Sequence, residues 1–200
     1  KLIGRGLSSS APCDAPIFRD KNVIVVGGGD SAMEEALVLS KFATSVTIIH
    51  RRDAFRASKI MQERVLSDPK IKVVWDSVIE EILGEQRVSG VKIKNVKTGE
   101  ITQMPIDGIF VAIGHEPTTK LLASKLELDE KGYIKKIPND KFQMTNEKGE
   151  VIGNKLSMMT STEGIFVSGD VHDYRYKQAI TAAGFGCQAA MDALVWLDEN

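Results

Sequence analysis

Cysteine is scarce. The 200 residues contain two, Cys13 and Cys187, too few and too far apart for a disulfide framework or for the close ligand spacing of a zinc site. A reducing compartment fits that usage best. Neither sign of charge is in surplus: 26 Lys and Arg stand against 27 Asp and Glu, a formal net charge of −1, so no chain-wide basic field exists to hold nucleic acid or an anionic lipid surface. No apolar run is expected to reach the roughly 18 residues that cross a bilayer, and residues 1–10 lack the apolar stretch of a signal peptide. The expectation is a cytoplasmic chain with no nucleic-acid and no membrane partner. A content of 42% hydrophobic and 26% charged residues excludes a disordered or fibrous chain and leaves room for one or two globular domains.

What is present is organised by period. Residues 4–21 mix glycine, three serines and two prolines and read as loop with a helix start. Residues 22–26 form a β-branched run without polar alternation, the pattern of a parallel strand buried on both faces. It stops at three glycines, after which Ala32, Ala36, Leu39 and Phe42 fall on one helical face. Residues 45–49 repeat the strand pattern, so strand, helix and strand follow within about thirty residues, the length of one parallel crossover unit. A helix is predicted over 55–66, ended by Asp68-Pro69, and a short strand over 71–75. Runs at 78–83, 88–96 and 101–106, separated by turn-formers such as Gly84 and Lys97-Thr98-Gly99, predict an antiparallel meander. Residues 109–113 are again apolar and stop at Gly114. The pattern Asp107-Gly108-Ile109-Phe110-Val111 is echoed by Glu163-Gly164-Ile165-Phe166-Val167 ahead of Gly169, which predicts a second buried strand delivering a glycine. The lysine-rich stretch 116–162 places a boundary near His115 and Pro117, and a last helix is predicted over 179–197.

Gly27-Gly28-Gly29-Asp30-Ser31-Ala32 fits the dinucleotide fingerprint G-x-G-x-x-(G/A). The pattern needs a strand before it for the tight turn and a helix after it, whose unpaired amino-terminal N–H groups face a pyrophosphate. Both are predicted here. A mere strand-to-helix turn is the plainer alternative.

About 20 residues beyond such glycines an acidic side chain normally holds the ribose 2′-hydroxyl of NAD. This chain has His50-Arg51-Arg52 instead. Guanidinium forks match a 2′-phosphate that a carboxylate would repel, each charge-assisted bond contributing about 1.5–3 kcal/mol. NADPH is therefore the expected coenzyme. Arg56 is expected one helical turn beyond Arg52, closing over the same phosphate. The alternative is a solvated basic run with Asp53 and Lys59 as partners.

Gly-Gly-Gly-Asp-Ser-Ala at 27–32, His-Arg-Arg-Asp-Ala-Phe-Arg-Ala at 50–57, Ala-Ile-Gly-His-Glu-Pro at 112–117, and Gly-Asp-Val at 169–171 with Tyr-Lys-Gln-Ala-Ile-Thr-Ala-Ala-Gly at 176–184 together resemble low-molecular-weight thioredoxin reductases over essentially the whole chain. The resemblance implies an α/β fold: a Rossmann-like three-layer NADP-binding domain with an antiparallel β-meander, residues 1–116, and part of a second Rossmann-like domain, residues 117–200, the carboxyl-terminal half of an FAD domain whose amino-terminal half is missing. It implies an NADPH site at Gly27, Gly28, Gly29, Asp30, Ser31, His50, Arg51, Arg52, Arg56, Ile113 and Gly114. For FAD it implies Gly169, Asp170, Lys177, Gln178, Ala179 and Ile180, Asp170 near the ribityl-phosphate and Lys177 to Ile180 at a helix start near the ring. Lys177 departs from the arginine common there. Without the resemblance, Asp170 reads equally as a turn residue, and Cys187 reads as an inert thiol packed in an apolar helix.

The activity implied is NADPH to FAD to a cysteine pair to a thioredoxin-like protein. A homodimer is implied when the chain is complete, with hinges near Gly4 and Gly114 to Pro117. The redox motif of that family, Cys-x-x-Cys-Asp, is met here by Ser10-Ala11-Pro12-Cys13-Asp14, with Ala15 for the usual glycine. Cys13 corresponds to the sulfur nearer the flavin and Asp14 to the proton shuttle. A serine hydroxyl forms no exchangeable bond with sulfur, so this pair cannot close. An introduced substitution, natural divergence and a different alignment remain open. So do two other functions: a thiol-independent NADPH:flavin reductase of the ferredoxin type, and a catalytically silent NADP(H)-binding module.

Overall fold

Val23 and Val25 face one side of their strand, Ile24 and Val26 the other, and both sides are covered. That is why the run carries no polar alternation. The computed structural model describes residues 2–136, 143–154 and 156–199. The chain divides into two compact units, Lys1–Gly114 and His115–Asn200.

The first unit is built on a parallel sheet. Its strands are β1 (Leu7–Ser8), β2 (Asn22–Gly27), β3 (Ser45–Ile49), β4 (Ile71–Val74) and β8 (Gly108–Ala112), in the order β1-β8-β2-β3-β4. Ile24 pairs with Thr47 on one side and Ile109 on the other, which seats β2 at the centre. Over one face lie α1 (Ala11–Asp14), a 3-10 turn (Ala15–Phe18), α2 (Asp30–Ser40) and α3 (Lys59–Ser67). Ala32, Met33, Ala36 and Leu39 of α2 are fully buried; three of them belong to the expected stripe, while its fourth member, Phe42, lies past the end of the helix and is only partly buried. The Phe18 and Phe110 rings meet edge-on at 5.1 Å between centroids. Over the opposite face lies the expected meander, β5 (Ser77–Leu83), β6 (Gly90–Asn95) and β7 (Ile101–Pro105), antiparallel throughout. Val91 and Ile93 turn inward to Ile24, Ile49 and Ile109, while Lys92 and Lys94 turn outward to Glu81 and Glu80. Helices, parallel sheet and antiparallel sheet make three layers.

Helix α3 begins at Lys59, four residues later than the pattern predicts. Phe55 is instead a core residue of an irregular segment, its ring 4.3 Å from Trp75 and 5.6 Å from His50 between centroids. An apolar residue at helical spacing had another place to be buried.

The second unit contains an antiparallel pair, β9 (Gln143–Thr145) with β10 (Val151–Asn154), and the long helix α4 (Ala179–Glu199). The strand predicted at 165–167 is not formed: Phe166 makes a single bridge to Met159, and Gly169–Val171 is a 3-10 turn. A buried parallel strand requires hydrogen-bonding neighbours on both flanks, whereas among the described residues this segment pairs only with residues 158–160, antiparallel, through the Thr160 N–H to the Ile165 carbonyl and the Val167 N–H to the Met158 carbonyl, each at 2.9 Å. Val195 and Trp196 of α4 pack against Leu156 and Met159, and the Asp192 carboxylate accepts the Met158 N–H at 2.7 Å. Contrary to the sequence expectation, α4 is long and apolar enough to cross a bilayer by length and composition, with a mean hydropathy of 1.3. None of its side chains is buried within the described chain, although Val195 and Trp196 are partly covered.

Phe110 is fully buried beneath α2, whereas Ile101 on the meander is 52% exposed. Phe110→Ala is expected to cost about 3–5 kcal/mol in denaturant unfolding, and Ile101→Ala less than about 1 kcal/mol.

Candidate functional site

The corner after β2 is shaped by what it cannot hold. A Cβ on Gly28 would collide with the His50 ring, and one on Gly27 with the Ala112 carbonyl and the Ala32 side chain. Gly29, by contrast, faces open space, and its backbone is extended. Two glycines are thus required by the fold, and the third leaves the amino terminus of α2 bare. His50 is 6% exposed. It is held by the Ala54 carbonyl, 3.1 Å from Nε2, and by the Phe55 and Trp75 rings.

A cavity of about 550 Å³ opens at this corner. Gly27, Gly28, Gly29, Ser31, His50, Arg51, Arg56, Ile113 and Gly114, all expected from the sequence, line it. Ser77, Val78 and Ile79 of the meander also line it, and no sequence motif marked them. Ile113 is 69% exposed, and Gly114 has φ 101°, a conformation that favours glycine.

Arg56 reaches the cavity by a different route from the one expected. It precedes α3, and its N–H donates to the Gly28 carbonyl at 2.8 Å, so the backbone of the arginine segment is fastened to the glycine corner. A second fastening is Asp30, whose Oδ1 accepts both the N–H and the hydroxyl of Ser58 at 2.9 Å. Those bonds hold the Asp30 carboxyl below the ordinary aspartate range. Asp30 therefore clips the segment in place rather than facing the cavity. Arg52 is exposed but does not line the cavity. Its carbonyl accepts the Asp76 N–H at 3.2 Å.

Cys13 and Asp14 close the short helix α1. Cys13 is exposed, and Asp14 accepts the Ser8 hydroxyl at 2.6 Å. Ser10 caps α1 in position only: its Oγ makes no cap bond and lies buried with no hydrogen-bond partner. Glu35 of α2 substitutes for it, accepting the Ala11 N–H at 2.5 Å. Nothing in the sequence spacing marks Glu35. Burial raises its carboxyl above the ordinary glutamate value, as do the charges of Glu34 and Asp14, against the pull of the Ala11 N–H.

In the second unit Asp170 is exposed in its turn. Lys177 has φ 50° and sets its ammonium 5.2 Å from the Tyr133 ring centroid, ahead of Gln178, Ala179 and Ile180 at the start of α4. The carboxylate that shapes this loop is Asp173, 5% exposed, which accepts the N–H groups of Arg175, Tyr176 and Lys177 at 2.8–3.0 Å and the Thr181 hydroxyl at 3.3 Å. Burial works against its charge, yet these donors keep its carboxyl below the ordinary value. Cys187 is exposed on α4 rather than packed, because the apolar side chains of this helix, such as Met191 and Leu194, are themselves largely exposed in the chain.

A glycine corner at the carboxyl end of a central parallel strand, opening on a cavity with guanidinium groups at its wall, defines a dinucleotide-binding α/β protein. The chain belongs to the pyridine nucleotide-disulphide oxidoreductase family, whose sequence profile matches residues 4–186. It is similar to a thioredoxin reductase of Streptomyces coelicolor, 50% identical over 192 residues, covering 96% of this chain and 54% of that relative. It is likewise 50% identical to thioredoxin reductase 2 of Arabidopsis thaliana, covering 98% of this chain and 48% of that one. The crystal structure of thioredoxin reductase from Streptococcus pyogenes matches with a TM-score of 0.82 at 40% identity, over 98% of this chain and 58% of that one. The chain spans about half the length of the curated relatives it matches.

Gly28→Ala is expected to displace His50 and cost about 1–3 kcal/mol. Gly29→Ala meets no neighbouring atom and should cost less, only the roughly 0.5–1 kcal/mol of a poorer N-cap. Thermal melts of the two variants separate these outcomes. Glu35 carries a raised carboxyl pKa, so the folded chain holds that proton to higher pH than the unfolded chain does, and the associated stability is full below the ordinary glutamate value and lost as pH rises through the raised one. Glu35→Gln keeps an acceptor and removes the titration, so melts between about pH 4 and 7 should show a flatter dependence than the parent.

Proposed function

We propose that the chain is the NADPH-binding and thiol-bearing portion of a flavoprotein disulfide reductase, acting in the cytoplasm on a thioredoxin-like protein. The observation that carries this reading is the sharing of one cavity by the glycine corner and two arginines, Arg51 and Arg56. In this reading residues 1–116 form the NADPH domain with its redox turn, and residues 117–200 form the carboxyl-terminal half of the FAD domain. The relatives' greater length supports a flavin site completed by further protein, in an assembly that is a homodimer when whole.

The residues fit the nucleotide. Gly29 leaves the first turn of α2 open, so its N–H groups meet a pyrophosphate without a side chain between. Arg51 and Arg56 supply guanidinium forks for a 2′-phosphate, and Ile113 an apolar wall. For the flavin this chain offers the start of α4, where the exposed Ile180 stands beside helix N–H groups, an apolar surface next to donors. When bound, the two coenzymes supply hydride donation and electron relay.

The remaining chemistry belongs to Cys13 and Asp14. In this reading Asp14, which accepts the Ser8 hydroxyl and follows the thiol directly in the sequence, takes its proton. The Cys13 thiolate then attacks a disulfide of the protein substrate. One sulfur–sulfur bond forms to Cys13 as the substrate's own bond breaks, and the departing sulfur leaves as a thiolate that takes up a proton. Release requires a second thiol. Position 10 holds a hydroxyl that is buried without a partner, an environment suited to a sulfur atom, which tolerates burial without hydrogen bonds. With serine there, the chain retains its substrate as a mixed disulfide.

Nucleotide titration tests the coenzyme assignment. NADPH should bind more tightly than NADH, and Arg51→Ala or Arg56→Ala should each weaken NADPH about tenfold or more while sparing NADH; equal binding of the two nucleotides overturns it. Ser10→Cys tests the redox turn. Oxidation of that variant should leave Cys187 as the only titratable thiol, and retention of all three refutes the pairing.

A further inference from the structure

The arginine segment contains a carboxylate of its own. Asp53 follows Arg51-Arg52 directly, and an acidic group at this end of the second strand is what discriminates against a 2′-phosphate. The structure shows how it is dealt with. Lys97, at the tip of the β6–β7 hairpin, lies 3.2 Å from Asp53 and 2.9 Å from Asp76. It is the sole ammonium paired to either among the described residues.

The tip that carries Lys97 is fixed. Asn95 Oδ1 accepts the N–H groups of Lys97 and Thr98 at 2.9 and 3.0 Å, and the Asn95 carbonyl accepts the Gly99 N–H at 2.8 Å. Gly99 takes φ 76° to close the turn. The tip is also tied to the arginine segment through Asp76, whose carbonyl accepts the Val96 N–H at 2.7 Å and whose own N–H donates to Arg52. Ser77, the next residue, donates its N–H to the His50 carbonyl at 2.9 Å. The meander therefore holds the backbone of the segment and delivers one positive charge to its carboxylate.

We propose that Lys97 is a specificity-determining positioning residue for the 2′-phosphate: it neutralises Asp53 and so keeps that carboxylate from competing for the neighbouring arginines and from repelling the phosphate. The inference rests on the NADPH reading above. Asp53 and Lys97 are both largely exposed, 74% and 59% at the side chain, so the effect belongs to the low-salt regime. The charged groups facing Lys97 are Asp53 and Asp76, and those lining the cavity are Arg51 and Arg56. Removing Lys97 lowers the net charge of the segment without touching a cavity-lining residue.

Titrations of the purified 200-residue chain with NADPH and with NADH at low salt test this. Lys97→Ala should weaken NADPH about fivefold and leave NADH unchanged. Lys97→Arg should retain the parent ratio, and Lys97→Ala with Asp53→Asn should restore it, since no carboxylate remains to be neutralised. Equal weakening of both nucleotides makes Lys97 a purely structural residue and overturns the proposal, as does an unchanged ratio in Lys97→Ala or a double variant that stays impaired. Arg51→Ala is the control. If it abolishes the preference while Lys97→Ala does not, the Lys97 proposal alone fails; if Arg51→Ala leaves the preference intact, the arginine reading itself fails.

Discussion

Space for a ligand at the end of β2 exists because the backbone there runs against a buried ring. The His50 imidazole occupies the volume that a side chain at position 28 would need, and the Ala112 carbonyl does the same at position 27. The chain can turn from strand to helix this tightly only with bare backbone, and bare backbone is what leaves the N–H groups of α2 open to an anion. His50 in turn packs against the Phe55 and Trp75 rings, which meet each other beside it, so the same ring fixes where the arginine segment starts. Corner and arginines are set by one packing contact.

The antiparallel sheet takes part in this arrangement at two distances. Its inner face supplies Val91 and Ile93 to the second core layer, a hydrophobic role that any apolar cover would fill. Its edge and tip are more specific. Ser77, Val78 and Ile79 form a wall of the cavity, and the hairpin tip holds the carboxylates around Arg52. On the opposite face, Glu35 fastens the helix of Cys13 to α2. A helix of four residues has little stability of its own, and with Ser10 making no side-chain cap the bond to Glu35 gives α1 a fixed attachment. The thiol turn and the nucleotide corner thereby share α2 as their common support.

Much of the first unit was legible in advance. Continuous β-branched runs mark strands covered on both faces, and Gly27 to Ala32 between two of them mark the corner. The second unit was less legible for a physical reason. Residues 165–167 have the composition of a buried strand, but pairing is not a property of one segment, and the only backbone pairing it makes among the described residues is an isolated antiparallel bridge to 158–160. Phe55 misled in the other direction. Its spacing suited a helix, while the tertiary structure had an aromatic pocket for it beside Trp75. Arg56 consequently reaches the cavity from the irregular segment ahead of α3, and Arg52, adjacent to Arg51 in the sequence, does not line it.

By itself the sequence determined the class of fold, the glycine corner and the basic character of the strand end, because each depends on residue type and spacing along one element. Only the tertiary structure decided which arginines line the cavity, that Asp30 bonds Ser58 and Lys97 pairs with Asp53 and Asp76, and that Glu35 caps a helix 24 residues away. Those roles come from contacts between elements distant in the chain. No local period records such a contact, since the energy that selects it arises only when the layers pack.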